Sequence, residues 1–147
     1  MGQQQLLLLV LATVIVGLAT VAGIQAFEQG QNRANQDALT QQAVKIASDI
    51  QAKVKEPSQF GGLDGKLGDA DVSSSGNITL SGLGYNTTNS SDDMSGSGYE
   101  TSSGECQLTT NNSNVAVECQ SDQASVIVEV QSLDPKGIKT VSQSIKS

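Results

Sequence analysis

Residues Leu6 to Ala26 read LLLLVLATVIVGLATVAGIQA and contain no charged side chain; only Met1-Gly2-Gln3-Gln4-Gln5 stand before them. About 20 consecutive apolar residues are enough to span a bilayer as a helix. A run of this kind is not stable exposed to water, so it requires lipid, detergent or other copies of itself around it. The large side chains that would pack in such surroundings are Leu6, Leu7, Leu8, Leu9, Val10, Leu11, Val14, Ile15, Val16, Leu18, Val21, Ile24 and Phe27. A cleavable signal peptide needs a basic n-region before its apolar stretch. No Lys or Arg precedes Leu6, although Val21-Ala22-Gly23 is a passable cleavage sequence. An ordinary anchor is allowed by length, but its flanks lack the Lys/Arg asymmetry that sets orientation. A third reading is a helix that leaves the membrane and packs among identical helices.

Working outward, no proline or cap interrupts the chain after Ala26. Leu39, Ala43, Val44, Ile46, Ala47, Ile50 and Val54 recur at spacings of three and four, an amphipathic helix stripe. Pro57 stops the pattern and biases Glu56 out of the helical region. One helix over Gln3–Lys55 is therefore predicted, on the order of 80 Å long at 1.5 Å per residue. Gly17, Gly23 and Gly30, together with Ala12, Ala19, Ala22 and Ala26, suit close helix–helix approach in apolar surroundings.

About 90 of the 147 residues follow this helix, enough for one small domain. Aromatic residues make up 3% of the chain and Trp is absent, so the core must rest on Val, Ile, Leu and Ala. The formal net charge of −7 argues against nucleic-acid binding, which needs a basic footprint. The absence of His removes the commonest general base and transition-metal ligand. No nucleophile motif, phosphate loop or metal-ligand spacing is present, so neither an enzyme nor a cofactor is expected. Asp64, Asp69 and Asp71, and again Asp92 and Asp93, form acidic clusters. They lack EF-hand spacing and read as solvated loops.

Residues 57–104 are rich in Gly, Ser, Asn, Thr and Asp and are expected to be mostly loop, with Asn77-Ile78-Thr79-Leu80 as a short strand. Residues 105–147 look like β structure. Cys106–Thr110 and Val115–Cys119 flank Asn111-Asn112-Ser113-Asn114. A four-residue turn pairs Thr110 with Val115, Leu108 with Val117 and Cys106 with Cys119, placing the cysteines opposite each other. A Cys106–Cys119 disulfide is expected, and with it an oxidising compartment. Strands over Ser125–Gln131 and Ile138–Ile145, separated by the turn signal Leu133-Asp134-Pro135-Lys136-Gly137, complete a meander of three or four strands. The predicted class is α+β: a long N-terminal helix, apolar in its first half and amphipathic in its second, packed on a small antiparallel β-sheet head. The predicted divisions are 1–56 (apolar 1–26, amphipathic 27–56), 57–104 and 105–147. Asn77, Asn86, Asn89 and Asn111 stand in Asn-x-Ser/Thr sequons and are candidate glycan acceptors.

The stretch GQQQLLLLVLATVIVGLATVAGIQAF, Gly2–Phe27, resembles the start of a type IV pilin. The resemblance covers the first 55 residues and the overall layout. It implies a helix whose apolar half bundles in a filament core and whose second half packs on a β-sheet head. A C-terminal disulfide loop is common in bacterial members. Three features depart from that pattern. Counting from Met1, Gln5 stands at the position where bacterial pilins typically carry an assembly glutamate. No basic leader precedes the run, and no proline falls before Pro57. The expected role is that of a major pilin forming an extracellular type IV pilus-like filament. Its partners would be identical subunits, the membrane before assembly and the pilus assembly machinery, with no nucleic acid. The alternatives are a membrane-tethered surface module and a pseudopilin of a secretion machine.

Overall fold

The computed structural model describes residues 2–73, 76–87, 98–111 and 114–145, with the side chain of Asn111 outside that description. Helix α1 spans Gly2–Lys55. Five strands follow: β1 (Tyr99–Thr101), β2 (Gly104–Asn111), β3 (Asn114–Gln120), β4 (Ala124–Val130) and β5 (Ile138–Ile145). The fold is α+β, as expected. The chain divides into two compact units, Met1–Ala34 and Asn35–Ser147. In the first, every described residue from Gly2 to Ala34 is helical.

The second unit is the head. Its sheet is an antiparallel meander in the order β1-β2-β3-β4-β5. β2 and β3 pair in the expected register, with Thr110 opposite Val115, Leu108 opposite Val117 and Cys106 opposite Cys119. The two cysteines form the disulfide, and both are fully buried. Because side chains alternate along a strand, this register sends Cys106, Val115, Val117 and Cys119 to one face. Val126, Val128 and Val130 of β4 extend that face, which receives Leu39, Ala43, Ile46, Ala47, Ile50 and Val54 of α1. Val44 was expected in this stripe but is exposed. It lies about 100° around the helix from Ala43, off the buried face.

Polar contacts fix the helix on the sheet at both ends. Asn35 Nδ2 donates to Gln123 Oε1 at 2.5 Å near the β3–β4 turn. Buried Gln51 donates through Nε2 to the carbonyls of Ser132 (2.7 Å) and Asp134 (3.1 Å) in the β4–β5 connection. A side-chain amide buried without such partners would be destabilising.

Three differences from the sequence reading concern the polar segment. Asn77–Leu80 is not a strand; it forms a bend leading into a turn. The Asp71 backbone N–H donates to Asn77 Oδ1 (2.8 Å), and Asn77 Nδ2 donates to the Asp69 carbonyl (2.8 Å). The Asn77 side chain thus does locally what a ladder would do between strands. Ile78 and Leu80 are nevertheless 1% and 3% exposed, so a segment expected to be mostly loop also supplies core side chains. β1, within the stretch expected to be loop, pairs with β2 through Tyr99–Cys106 and Thr101–Gly104 and raises the strand count to five. At Gly104 φ is +153° and a Cβ would collide with the Gln120 carbonyl, so the β1–β2 turn requires glycine there.

β5 forms one edge of the sheet. Its register shifts at Ile127/Val128: Ser142 faces Ile127 and Thr140 faces Val128, leaving Val141 as the extra residue of a bulge.

Candidate functional site

The residues predicted to pack in a filament core, Leu6, Leu7, Leu8, Leu9, Val10, Leu11, Val14, Ile15, Val16, Leu18, Val21, Ile24 and Phe27, all lie on α1, and all are more than half exposed. Exposure runs from 51% at Leu11 to 68% at Leu7 and Leu18, so no side of the segment is covered. Monomeric soluble proteins rarely show contiguous apolar surface on this scale. The helix is long and apolar enough to cross a membrane.

Both threonine hydroxyls of this segment are bonded within the helix. Thr13 Oγ1 donates to the Val10 carbonyl and Thr20 Oγ1 to the Val16 carbonyl, each at 2.8 Å. Both hydroxyls are therefore satisfied within their own helix, as apolar surroundings demand. No charge occurs until Glu28. A Cβ added at Gly17, Gly23 or Gly30 would meet nothing within 4 Å. Each glycine is thus a shallow place in the helix surface, open to close approach. Gln5 is exposed in the second turn of α1.

The cysteines belong to the head core rather than to a reactive site. Of the sequons, Asn77 spends both ends of its amide on Asp71 and Asp69, whereas Asn86 is exposed. Asn89 lies outside the described residues, as does the side chain of Asn111. Asp92 and Asp93 lie outside them as well. Among the described residues no group of three or more His, Cys, Asp or Glu is placed to hold a metal ion. Asp64 and Asp71 instead support the backbone: Asp64 Oδ1 accepts from Ser58 N–H and Asp71 Oδ1 from Ser73 N–H, each at 2.9 Å. These hydrogen bonds hold both carboxyls below their ordinary range.

Two arrangements in the head were not legible in the sequence. In the first, Tyr85 packs on Tyr99 with ring centroids 4.8 Å apart, donates its hydroxyl to Asp49 Oδ2, and lies beneath Lys45 Nζ at 5.8 Å. Burial, then the Asp49 carboxylate, pushes the Tyr85 phenol well above its ordinary value of 10.0. The second is a cleft of about 650 Å³ between the β1–β2 and β3–β4 turns. Glu100, Glu105 and Asp122 line it, and Glu105 Oε1 is buried without a hydrogen-bond partner. Neither had a signal in spacing, because the participants are brought together from elements far apart in the chain.

A long apolar N-terminal helix, a small antiparallel sheet and a disulfide together are compatible with a pilin-like layout. No protein-family model, curated protein or solved structure matches the chain.

Proposed function

We propose that this chain is a structural subunit, a major pilin that polymerises through its N-terminal helix into an extracellular type IV pilus-like filament. The observation that carries the reading is the exposure of every large side chain from Leu6 to Phe27 on a helix whose later turns form the head core. A surface apolar on all sides needs several neighbours to cover it. Identical helices supply them, and a heterologous contact that does not close gives a fibre. At about 25 cal/mol per Å² of apolar area, covering this segment contributes tens of kcal/mol gross per subunit. The internally bonded Thr13 and Thr20 hydroxyls add no desolvation cost to that burial. With Gln5 in place of a carboxylate, assembly need not bury an anion at that position. Before assembly the same segment rests in the membrane, and the disulfide fits an oxidising exterior.

A tethered surface module would use the same helix as an anchor. The fork between them is tested by negative-stain microscopy of material shed by cells producing the full chain. Micrometre-scale fibres containing this chain are expected; subunits recovered solely as detergent-soluble monomers would overturn the filament reading.

A further inference from the structure

We propose that residues 28–34 of α1 are a joint in the membrane-inserted subunit, where the helix opens locally while the apolar segment before it and the head after it stay folded. This rests on one part of the filament reading, the apolar segment held in lipid before assembly, and it goes beyond that reading by assigning a role to the turns that follow.

The joint reads EQGQNRA and forms the last turns of the first compact unit, Met1–Ala34. Its residues are exposed apart from half-buried Asn32. Among the described residues none of its side chains makes a hydrogen bond or an ion pair. The last side-chain hydrogen bond before it runs from Thr20 to the Val16 carbonyl, and the first after it from Asn35 to Gln123. The first buried side chain of α1 is Leu39.

Most helical stability in a protein comes from packing an apolar face, and this stretch has no large apolar side chain to pack. Gly30 is the poorest helix former in it, and Asn32 is the next. A Cβ at Gly30 would meet nothing within 4 Å, so no contact within the chain requires glycine there. Charge pairing gives little support. Glu28 and Arg33 stand five apart, on different sides of the helix. Arg33 stands four before Asp37, the weaker order for such a pair, and the two form no ion pair within 4.0 Å.

Opening here is confined on both sides. In lipid, every backbone N–H and C=O of the apolar segment has to stay bonded inside the helix, because no water is present to replace the partner. On the other side Leu39, Ala43, Ile46, Ala47, Ile50 and Val54 are held in the head core. Between these limits water replaces each broken backbone bond, which places the joint at the low end of local stability. Unwinding its seven residues from about 1.5 to about 3.3 Å per residue lengthens the chain by about 13 Å. The inserted subunit can thus present its head at more than one height above the membrane without leaving the lipid.

Hydrogen exchange read by mass spectrometry, on the full chain in phosphatidylcholine vesicles, tests the joint. Amides of residues 29–34 are expected to exchange at least about tenfold faster than those of 43–54, while those of 8–24 stay protected. Gly30→Ala is expected to slow the joint about fivefold, the difference in helix propensity between the two residues. Gly23→Ala, inside the lipid-held segment, is expected to leave the joint's rate unchanged. Joint amides that exchange no faster than those of 43–54, or a joint rate that Gly30→Ala does not move, overturn the joint and leave the filament reading intact. Apolar-segment amides that exchange freely in the vesicles overturn the lipid-held state, and the joint with it.

Discussion

The Tyr85 hydroxyl donates to Asp49 Oδ2, linking the long polar connection to the middle of the head's helical segment. Tyr85 also follows Gly84, which takes a left-handed φ of +89°, and its ring meets Tyr99 of β1. One side chain thus joins the connection, the helix and the edge strand.

Tyr85→Phe should keep the ring contact and remove the hydrogen bond to Asp49. A hydrogen bond to a charged acceptor contributes about 1.5–3 kcal/mol, and the partly buried carboxylate left behind regains some water. The expected loss is about 1–2 kcal/mol in urea unfolding of the detergent-solubilised chain. An unchanged midpoint would show that the contact is not formed in solution.

The disulfide closes a short loop between adjacent strands and lies wholly within the core. Replacing Cys106 and Cys119 together by Ala should destabilise the head by about 2–4 kcal/mol and lower its melting temperature. The β2–β3 register should survive, because Leu108–Val117 and Thr110–Val115 still pair. Amide exchange read by NMR checks both halves of this statement.

Acid and alkali should act on different parts of the head. The Asp64 and Asp71 carboxyls are depressed by backbone N–H donors in the folded chain. Their contribution is present above the unfolded carboxylate value, near 3.8, and is lost as pH falls through the lower folded value. The Tyr85 phenol is raised, so its contribution is complete below 10.0 and is lost as pH rises beyond that. Carboxyl chemical shifts should give midpoints for Asp64 and Asp71 below 3.8. Ultraviolet titration should show Tyr85 ionising above 10.0. Carboxyl midpoints at or above 3.8, or a Tyr85 midpoint at or below 10.0, would contradict the hydrogen bonds assigned here.

Val14→Asp places a carboxylate in the middle of the apolar segment while touching nothing in the head core. Desolvating that charge costs several kcal/mol in each subunit that enters a helical bundle. Fibre yield should fall at least tenfold, with head stability within about 0.5 kcal/mol of the unaltered chain. Normal fibres from this variant would remove the helix from the assembly surface.

How much of this was legible depended on whether the determining contacts were local or carried a strong period. The helix was readable to within a residue of its start, because Pro57 and a three-four spacing are local signals. The Cys106–Cys119 register was readable because a four-residue turn fixes which residues face each other. Asn77–Leu80 misled because alternating Ile78 and Leu80 suit a half-buried strand, yet among the described residues no strand pairs with it to complete a ladder. β1 was too short to carry a period, and it is identified by its partner β2. The acidic cleft had no signature for the same reason: Glu100 and Asp122 become neighbours through the sheet order rather than through spacing.

The bulge at Val141 bears on how the exposed edge of the sheet meets other chains. An eight-residue edge strand such as β5 is a template on which foreign strands can add and seed aggregates. The extra residue breaks the regular row of edge amides and carbonyls, and a bulge bends and twists the strand that carries it. An incoming strand therefore finds two short stretches out of phase in place of one continuous ladder. The irregularity makes β5 a poorer template for edge-to-edge pairing, so that sheets of separate copies resist fusing wherever copies meet.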